Sequence, residues 1–139
     1  MSDPTPILGQ EIPTRPHSHT WLGDAASIRF RVTKHVANIA NAVIYAGAKS
    51  DKPNYATDED DITSGEQIRL HGEQGQFVWL TSVSGETIAA GDLVEVGDAV
   101  GRVLSKTAGA GWAVGRADEN VSGVSKVFRV EFNPEYLDS

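Results

Sequence analysis

Between residues 67 and 132 the apolar residues fall at alternate positions or in short pairs, and glycines interrupt the pattern before any run grows long. This constrains the chain more than anything else in it. A period of two sends alternate side chains to opposite faces of a strand, whereas an amphipathic helix needs a period near 3.6. QIRLHG (67–72) and QFVWLTS (76–82) flank Glu73-Gln74-Gly75, a spacing that predicts a hairpin. Phe77-Val78-Trp79-Leu80 is apolar on both faces, which predicts a central strand with Trp79 in the core. In TIAAGDLVEVGDAVGRVLSK (87–106), Gly91, Gly97 and Gly101 punctuate apolar pairs, as short strands with tight turns require. VSKVFRVEF (124–132) sets Phe128, Val130 and Phe132 against Arg129 and Glu131. The region is expected to form a closed or nearly closed β structure, with Ile68, Leu70, Val78, Leu80, Leu93, Val103, Phe128 and Val130 buried.

Upstream the signals are mixed. ASIRFRVT (26–33) alternates, with Ile28, Phe30 and Val32 opposed to Arg29, Arg31 and Thr33, and predicts a half-buried strand. In HVANIANAVIY (35–45), Val36, Ile39, Ala40, Val43 and Ile44 fit a helical stripe, with Thr33 as N-cap and Gly47 as stop. The β-branched residues argue the other way; the stripe favours a short helix. Residues 46–66 are polar and read as a mobile or functional loop, with the acidic run Asp58-Glu59-Asp60-Asp61. Residues 1–20 contain Pro4, Pro6, Pro13 and Pro16, which exclude a sheet or helix interior and predict an extended arm. Ile7, Leu8 and Ile12 are candidates to anchor that arm on a neighbour; a frayed end is the equal alternative.

The expected architecture is therefore mainly β: a small β-barrel or β-sandwich over residues 21–139, an arm over 1–20, and room for one short helix. A chain of 139 residues with 40% hydrophobic content suffices for one core. It has no cysteine, so disulfides and thiolate chemistry are out. Its net charge of −7 repels phosphate backbones and anionic lipid, making nucleic acid and membrane poor partners. The first residues lack a basic stretch followed by an apolar one, so no secretory signal is expected, and no apolar run approaches the ~20 residues that span a bilayer.

No catalytic or metal motif emerges. The acidic run fails the EF-hand pattern, with Ile62 or Thr63 where ligands or glycine belong. His17-x-His19 lacks further ligands at zinc spacing, and His35 and His71 stand alone. There is no nucleophile elbow or phosphate loop, and the G-x-G of GAGWAVG (109–115) opens no evident helix. No catalytic residue, metal site or cofactor is assigned, and the chain is not expected to be an enzyme. Trp21, just after the arm, is the preferred interface tryptophan, and the candidate interface set is Ile7, Leu8, Ile12, His17, His19 and Trp21.

Residues 85–132 resemble the capsid decoration, or head cement, proteins of tailed viruses. The likeness rests on Gly85, Ile88, Gly91, Asp92, Leu93 and Val94, then Gly101 and Val103, then Val114, Gly115 and Ala117, then Val127 and Val130. It covers about a third of the chain. The resemblance implies a β-tulip-like domain that sits as a homotrimer on the outer surface of an icosahedral head. It implies a virion protein, made in the host cytoplasm, that bridges major capsid proteins and needs no cofactor. Multivalent attachment would make modest single contacts sufficient. Two other classes compete. A biotinyl- or lipoyl-like carrier would use Lys106 in the V-G-D-x-V rhythm of VEVGDAVGRVLSK, although the residues beside Lys106 do not match. A small hydrolase or lyase would need Asp58–Asp61 and His71 to converge in a pocket.

Overall fold

Among the described residues, 17–138 of the computed structural model, there are ten strands and no helix. The first five are β1 (His17–Trp21), β2 (Val32–His35), β3 (Ala42–Tyr45), β4 (Tyr55–Thr57) and β5 (Gln67–His71). They close into a barrel in the order β1-β3-β2-β4-β5. β1 is the closing piece: it runs parallel to β3 through Thr20–Ala42 and Trp21–Val43, and antiparallel to β5 from His17–Leu70 to Thr20–Gln67. The arm expected over residues 1–20 therefore ends sooner, because 17–20 are already in the sheet. Residues 1–16, with Ile7, Leu8 and Ile12, lie outside the described residues.

The remaining strands are β6 (Phe77–Thr81), β7 (Leu93–Val96), β8 (Val103–Ser105), β9 (Gly111–Ala117) and β10 (Val127–Leu137). They form a second sheet in the order β6-β10-β9-β7-β8. Its edges meet at one bridge, Ser82–Val103, where the Val83 N–H donates to the Val103 carbonyl at 2.8 Å. Closure thus arises in the N-terminal half, whereas the Gly-punctuated C-terminal half curls and touches itself once.

Three local expectations are corrected. β5 and β6 do not form a hairpin: both edges of β5 are occupied, by β1 and β4, so the turn at Gly75 (φ 83°) carries the chain into the other sheet. The 35–45 segment is not helical but the β2–β3 hairpin. Asn38 (φ 65°) and Asn41 (φ 56°) take up the left-handed conformation that asparagine tolerates, which breaks the helical stripe and leaves Ile39 exposed. Residues 26–31 are not a strand, because Phe30 at φ 67° interrupts the alternation; only Val32 and Thr33 go on into β2 as buried residues.

Two apolar clusters hold the fold. The smaller fills the barrel with Trp21, Val43, Ile68 and Leu70, flanked by Tyr45, Tyr55 and Ile62. The larger takes Phe128, Val130 and Phe132 from β10, Val78 and Leu80 from β6, and Val94 and Val103 from the β7–β8 hairpin. It also includes Val32, Ala46 and Ala56 from the barrel, so the two sheets share it. Ile68, Leu70, Val78, Leu80, Val103, Phe128 and Val130 are buried as expected, whereas Leu93 is partly exposed and Trp79 is exposed. Gly101 (φ 74°) stitches the halves together. Its carbonyl accepts the Val32 N–H at 2.9 Å, and a Cβ there would lie 2.5 Å from the Val32 oxygen. Gly115 is equally constrained: a Cβ would come within 1.9 Å of the Glu131 oxygen across the β9–β10 pair.

Candidate functional site

Two exposed aromatics mark the site. β6 is an edge strand, and its pleat turns Val78 and Leu80 inward and Phe77 and Trp79 outward. Phe77 is 51% exposed and Trp79 49%, with Val127 of the neighbouring β10 similarly open. Trp79 is therefore not the core tryptophan that its apolar setting suggested. Exposed aromatics side by side on one strand are the kind of surface that marks an interaction site.

These rings open onto a cleft of about 190 Å³ where the barrel meets β6, walled on the other side by Phe30, Asp58 and His71. Phe30 is held there at both ends. Its N–H donates to Thr57 O at 2.7 Å in β4, and its carbonyl accepts the Thr81 N–H at 3.0 Å in β6. That double anchorage sustains a left-handed phenylalanine, a conformation that costs of order 1 kcal/mol or more and persists only where the surroundings enforce it. Guanidinium groups cover two of the rings: Arg29 lies 4.9 Å from the Phe30 centroid and Arg129 lies 5.0 Å from that of Phe77.

The acidic run does not gather into a metal site. Among the described residues, no three His, Asp or Glu side chains are placed to hold an ion. The carboxylates instead accept main-chain donors. Glu59 takes the Arg69 N–H at 2.7 Å and Asp60 the Arg29 N–H at 2.8 Å. The segment read as a loop also contains β4, and its Ser27 contacts fasten it to the chain before β2: Ser27 Oγ donates to Glu59 O at 2.8 Å. Asp58 and His71 do converge, with Oδ2 and Nε2 3.0 Å apart across the β4–β5 pair. The neighbouring hydroxyl, Thr57 Oγ1, is committed: it donates to Ile28 O at 2.6 Å and accepts the Arg31 N–H at 3.0 Å. That arrangement ties strands together and leaves no hydroxyl of the cleft wall poised for the Asp58–His71 pair to activate.

The candidate interface residues are dispersed. Trp21 is fully buried at the centre of the barrel, edge-on to Tyr45 at 4.8 Å, with Nε1 donating to Ala25 O at 3.0 Å. It is a core residue and presents no surface to a partner, which reverses the roles expected for Trp21 and Trp79. The reason is register: β1 belongs to the barrel, so its alternation turns Trp21 inward. His17 occupies β1 opposite Leu70. His19 lies at the same end of the barrel, with ring centroids 4.9 Å from Tyr55 and 5.7 Å from His35. Tyr55 is pushed up from the usual phenol range by burial and by the Glu73 charge.

Lys106, the lysine a carrier domain would modify, is withdrawn from solvent. Its side chain is 9% exposed and its ammonium lies 3.5 Å from Glu95, itself buried and accepting from Thr107 at 2.7 Å. The motif residues of 85–132 are likewise structural. Asp92 accepts from the Ala89 N–H and the Ser105 hydroxyl, both at 2.9 Å, and these bonds hold its carboxyl below the usual range. Gly91 N–H donates to Ala117 O and Ala117 N–H to Asp92 O, both at 2.8 Å, locking the turn into β7 against β9.

No protein-family model matches the chain, and a comparison with curated proteins finds no match. Among solved structures, the chain is similar to the head fiber gp8.5 N base of bacteriophage phi29, with a TM-score of 0.65 and 14% identity. The likeness covers 90% of this chain and 100% of the other, so both sheets take part in it.

Proposed function

We propose that this chain is a head-decoration module of a tailed virus, attaching to the outer surface of an icosahedral shell. In this reading it bridges neighbouring major capsid proteins and steadies them against internal pressure. It acts as a homotrimer, is made in the host cytoplasm, and ends in the virion. The observation that carries the reading is the shared fold with a phage head-fibre base along the whole of that domain. Support of a different kind comes from the decoration-like residues of 85–132 and from the exposed Phe77–Trp79–Val127 face, which supplies the apolar centre that a protein contact needs. The arm residues Ile7, Leu8 and Ile12, with His17 and His19, are the proposed secondary contacts to a neighbouring subunit or the shell.

A carrier role is disfavoured by the buried Lys106–Glu95 pair, because a ligase must reach the lysine it modifies. A generic β interaction module remains the competing class. The test mixes purified chain with undecorated heads and locates bound copies by cryo-microscopy. Density at three-fold-related sites is expected, and none at saturating concentration would sink the head reading. Raised salt should slow attachment if the shell patch is basic, since screening removes the steering that a charge of −7 provides.

A further inference from the structure

The open end of β6 has the polarity of a sheet that lacks its next strand. Gln76 O accepts the Phe132 N–H and the Ser82 N–H donates to Lys126 O, so the even-numbered positions turn their main chain toward β10. The odd-numbered ones turn it away: the Thr81 N–H goes to Phe30 O and the Val83 N–H to Val103 O. Phe77 and Trp79 share that parity. Each therefore presents an N–H and a C=O on the side of β6 that no other strand among the described residues occupies.

Across that side the spacing is already set. Phe30 is wedged between the sheets, its N–H bonded to Thr57 in β4 and its carbonyl to Thr81 in β6, so the space there is one chain wide. Beside Phe30 the same gap opens into the junction cleft, with Asp58 and His71 on the barrel wall and Phe77 and Trp79 on the other. Both edges of β4 are taken, by β2 and β5, so the barrel wall offers side chains and β6 offers main-chain groups. An extended chain in the cleft prolongs the pairing that Phe30 begins. It also sets alternate side chains beside the exposed Phe77–Trp79 row.

Charge selects the occupant. The barrel wall continues into Asp58, Glu59, Asp60 and Asp61, and against these four carboxylates stand the two guanidinium groups of Arg29 and Arg69, a surplus of two negative charges. On the β10 side Arg129 is taken up by Asp118. A second copy, itself at −7, would bring another acidic rim to the same edge and be repelled. We infer that the edge of β6 accepts an extended segment of another protein by strand addition, apolar at alternate positions and carrying a lysine or arginine that pairs with Asp58. This gives the mode of contact for the Phe77–Trp79 face, and it rests on the head reading only for the source of the segment, the shell protein.

The probe is the acetylated, amidated peptide Lys-Val-Thr-Val-Lys-Val, titrated into the full-length chain and followed by amide NMR. Saturable shifts at the Phe77 and Trp79 amides, with slowed hydrogen exchange of both, are expected at a dissociation constant of order millimolar or tighter. The fully N-methylated peptide, which has no amide donors, should not bind. Asp58→Asn keeps an acceptor for His71 while removing the charge, and should weaken the lysine peptide about two- to fivefold without weakening its glutamate counterpart. No saturable shift at those two amides in millimolar peptide overturns the inference, as does equal binding by the N-methylated form. Equal binding by the glutamate peptide overturns the basic partner. Shifts of the same amides that grow with protein concentration alone, with a larger species in sedimentation, give the edge to a second copy and overturn it too. Heads take no part in this readout, so its failure and the failure of the head reading are separate results.

Discussion

The two halves of the molecule solve the same problem differently. The barrel of β1–β5 removes every edge by closing, although its own apolar cluster is small and centred on one residue, Trp21. The sheet of β6–β10 holds most of the larger cluster but keeps a free edge at β6, where Phe77 and Trp79 stand in solvent. A closed sheet offers partners only its loops and outer face, whereas an open one offers aromatic side chains and main-chain groups together. The half with the larger core carries the exposed aromatic pair, whereas the barrel half exposes single aliphatic residues, Ile28 and Ile39.

That contrast can be broken most severely at Trp21. Trp21→Ala should destabilise the chain by about 3–5 kcal/mol, because it removes the largest side chain of a small, fully buried cluster and leaves a void there. Chemical denaturation measures it, and a loss under about 1 kcal/mol would show that the barrel does not depend on its central ring.

Gly101→Ala probes the stitch between the halves. A left-handed alanine pressed against the Val32 main chain should cost about 2–3 kcal/mol. If the halves depend on the stitch, denaturation curves read at the barrel and at the sheet should separate; coincident curves would show that the shared cluster alone couples them.

A smaller, pH-dependent effect is expected within the barrel region. Burial disfavours the charge on Asp51, but the Gly47 N–H at 2.8 Å and the Lys34 ammonium at 2.9 Å outweigh it, leaving the carboxyl below its usual range. A depressed carboxyl contributes stability that is present above the unfolded value and lost as pH falls through the folded one. Asp51→Asn should therefore cost about 1–2 kcal/mol at neutral pH and progressively less in acid. An equal cost at every pH would assign the effect to packing.

The smallest change is expected at the exposed edge. Trp79→Ser should move global stability by no more than about 0.5 kcal/mol while weakening attachment to heads. A large loss of stability would mean that the ring is structural after all.

Part of the C-terminal sheet was legible because β10 carries its own alternation: Phe128, Val130 and Phe132 announce their face without help. The barrel was not, because its strands are only three to five residues long and its closure rests on β1, which follows a proline-rich stretch that reads as an arm. The tryptophans show the limit of local reading. Trp79 sits in the most apolar run and faces water because the pleat of β6 puts it on the uncovered face of its sheet; Trp21 sits next to a threonine and is buried because its strand closes a barrel. Edge or interior is a property of pairing, which no window of a few residues contains. The cleft was missed for the same reason, since Phe30, His71 and Trp79 meet only once the two sheets are packed.

The closing role of β1 also bears on how the chain is born. Residues 17–21 are made well before their antiparallel partners at 67–70. Until β5 appears, Trp21 has no barrel to enter. Pairings so distant along the chain are slow to form, because loop closure must be achieved before any contact rewards it. β1 is therefore expected to settle only after β5 is made, and the interval during which Trp21 waits unburied is when a nascent chain is most prone to stick to its neighbours.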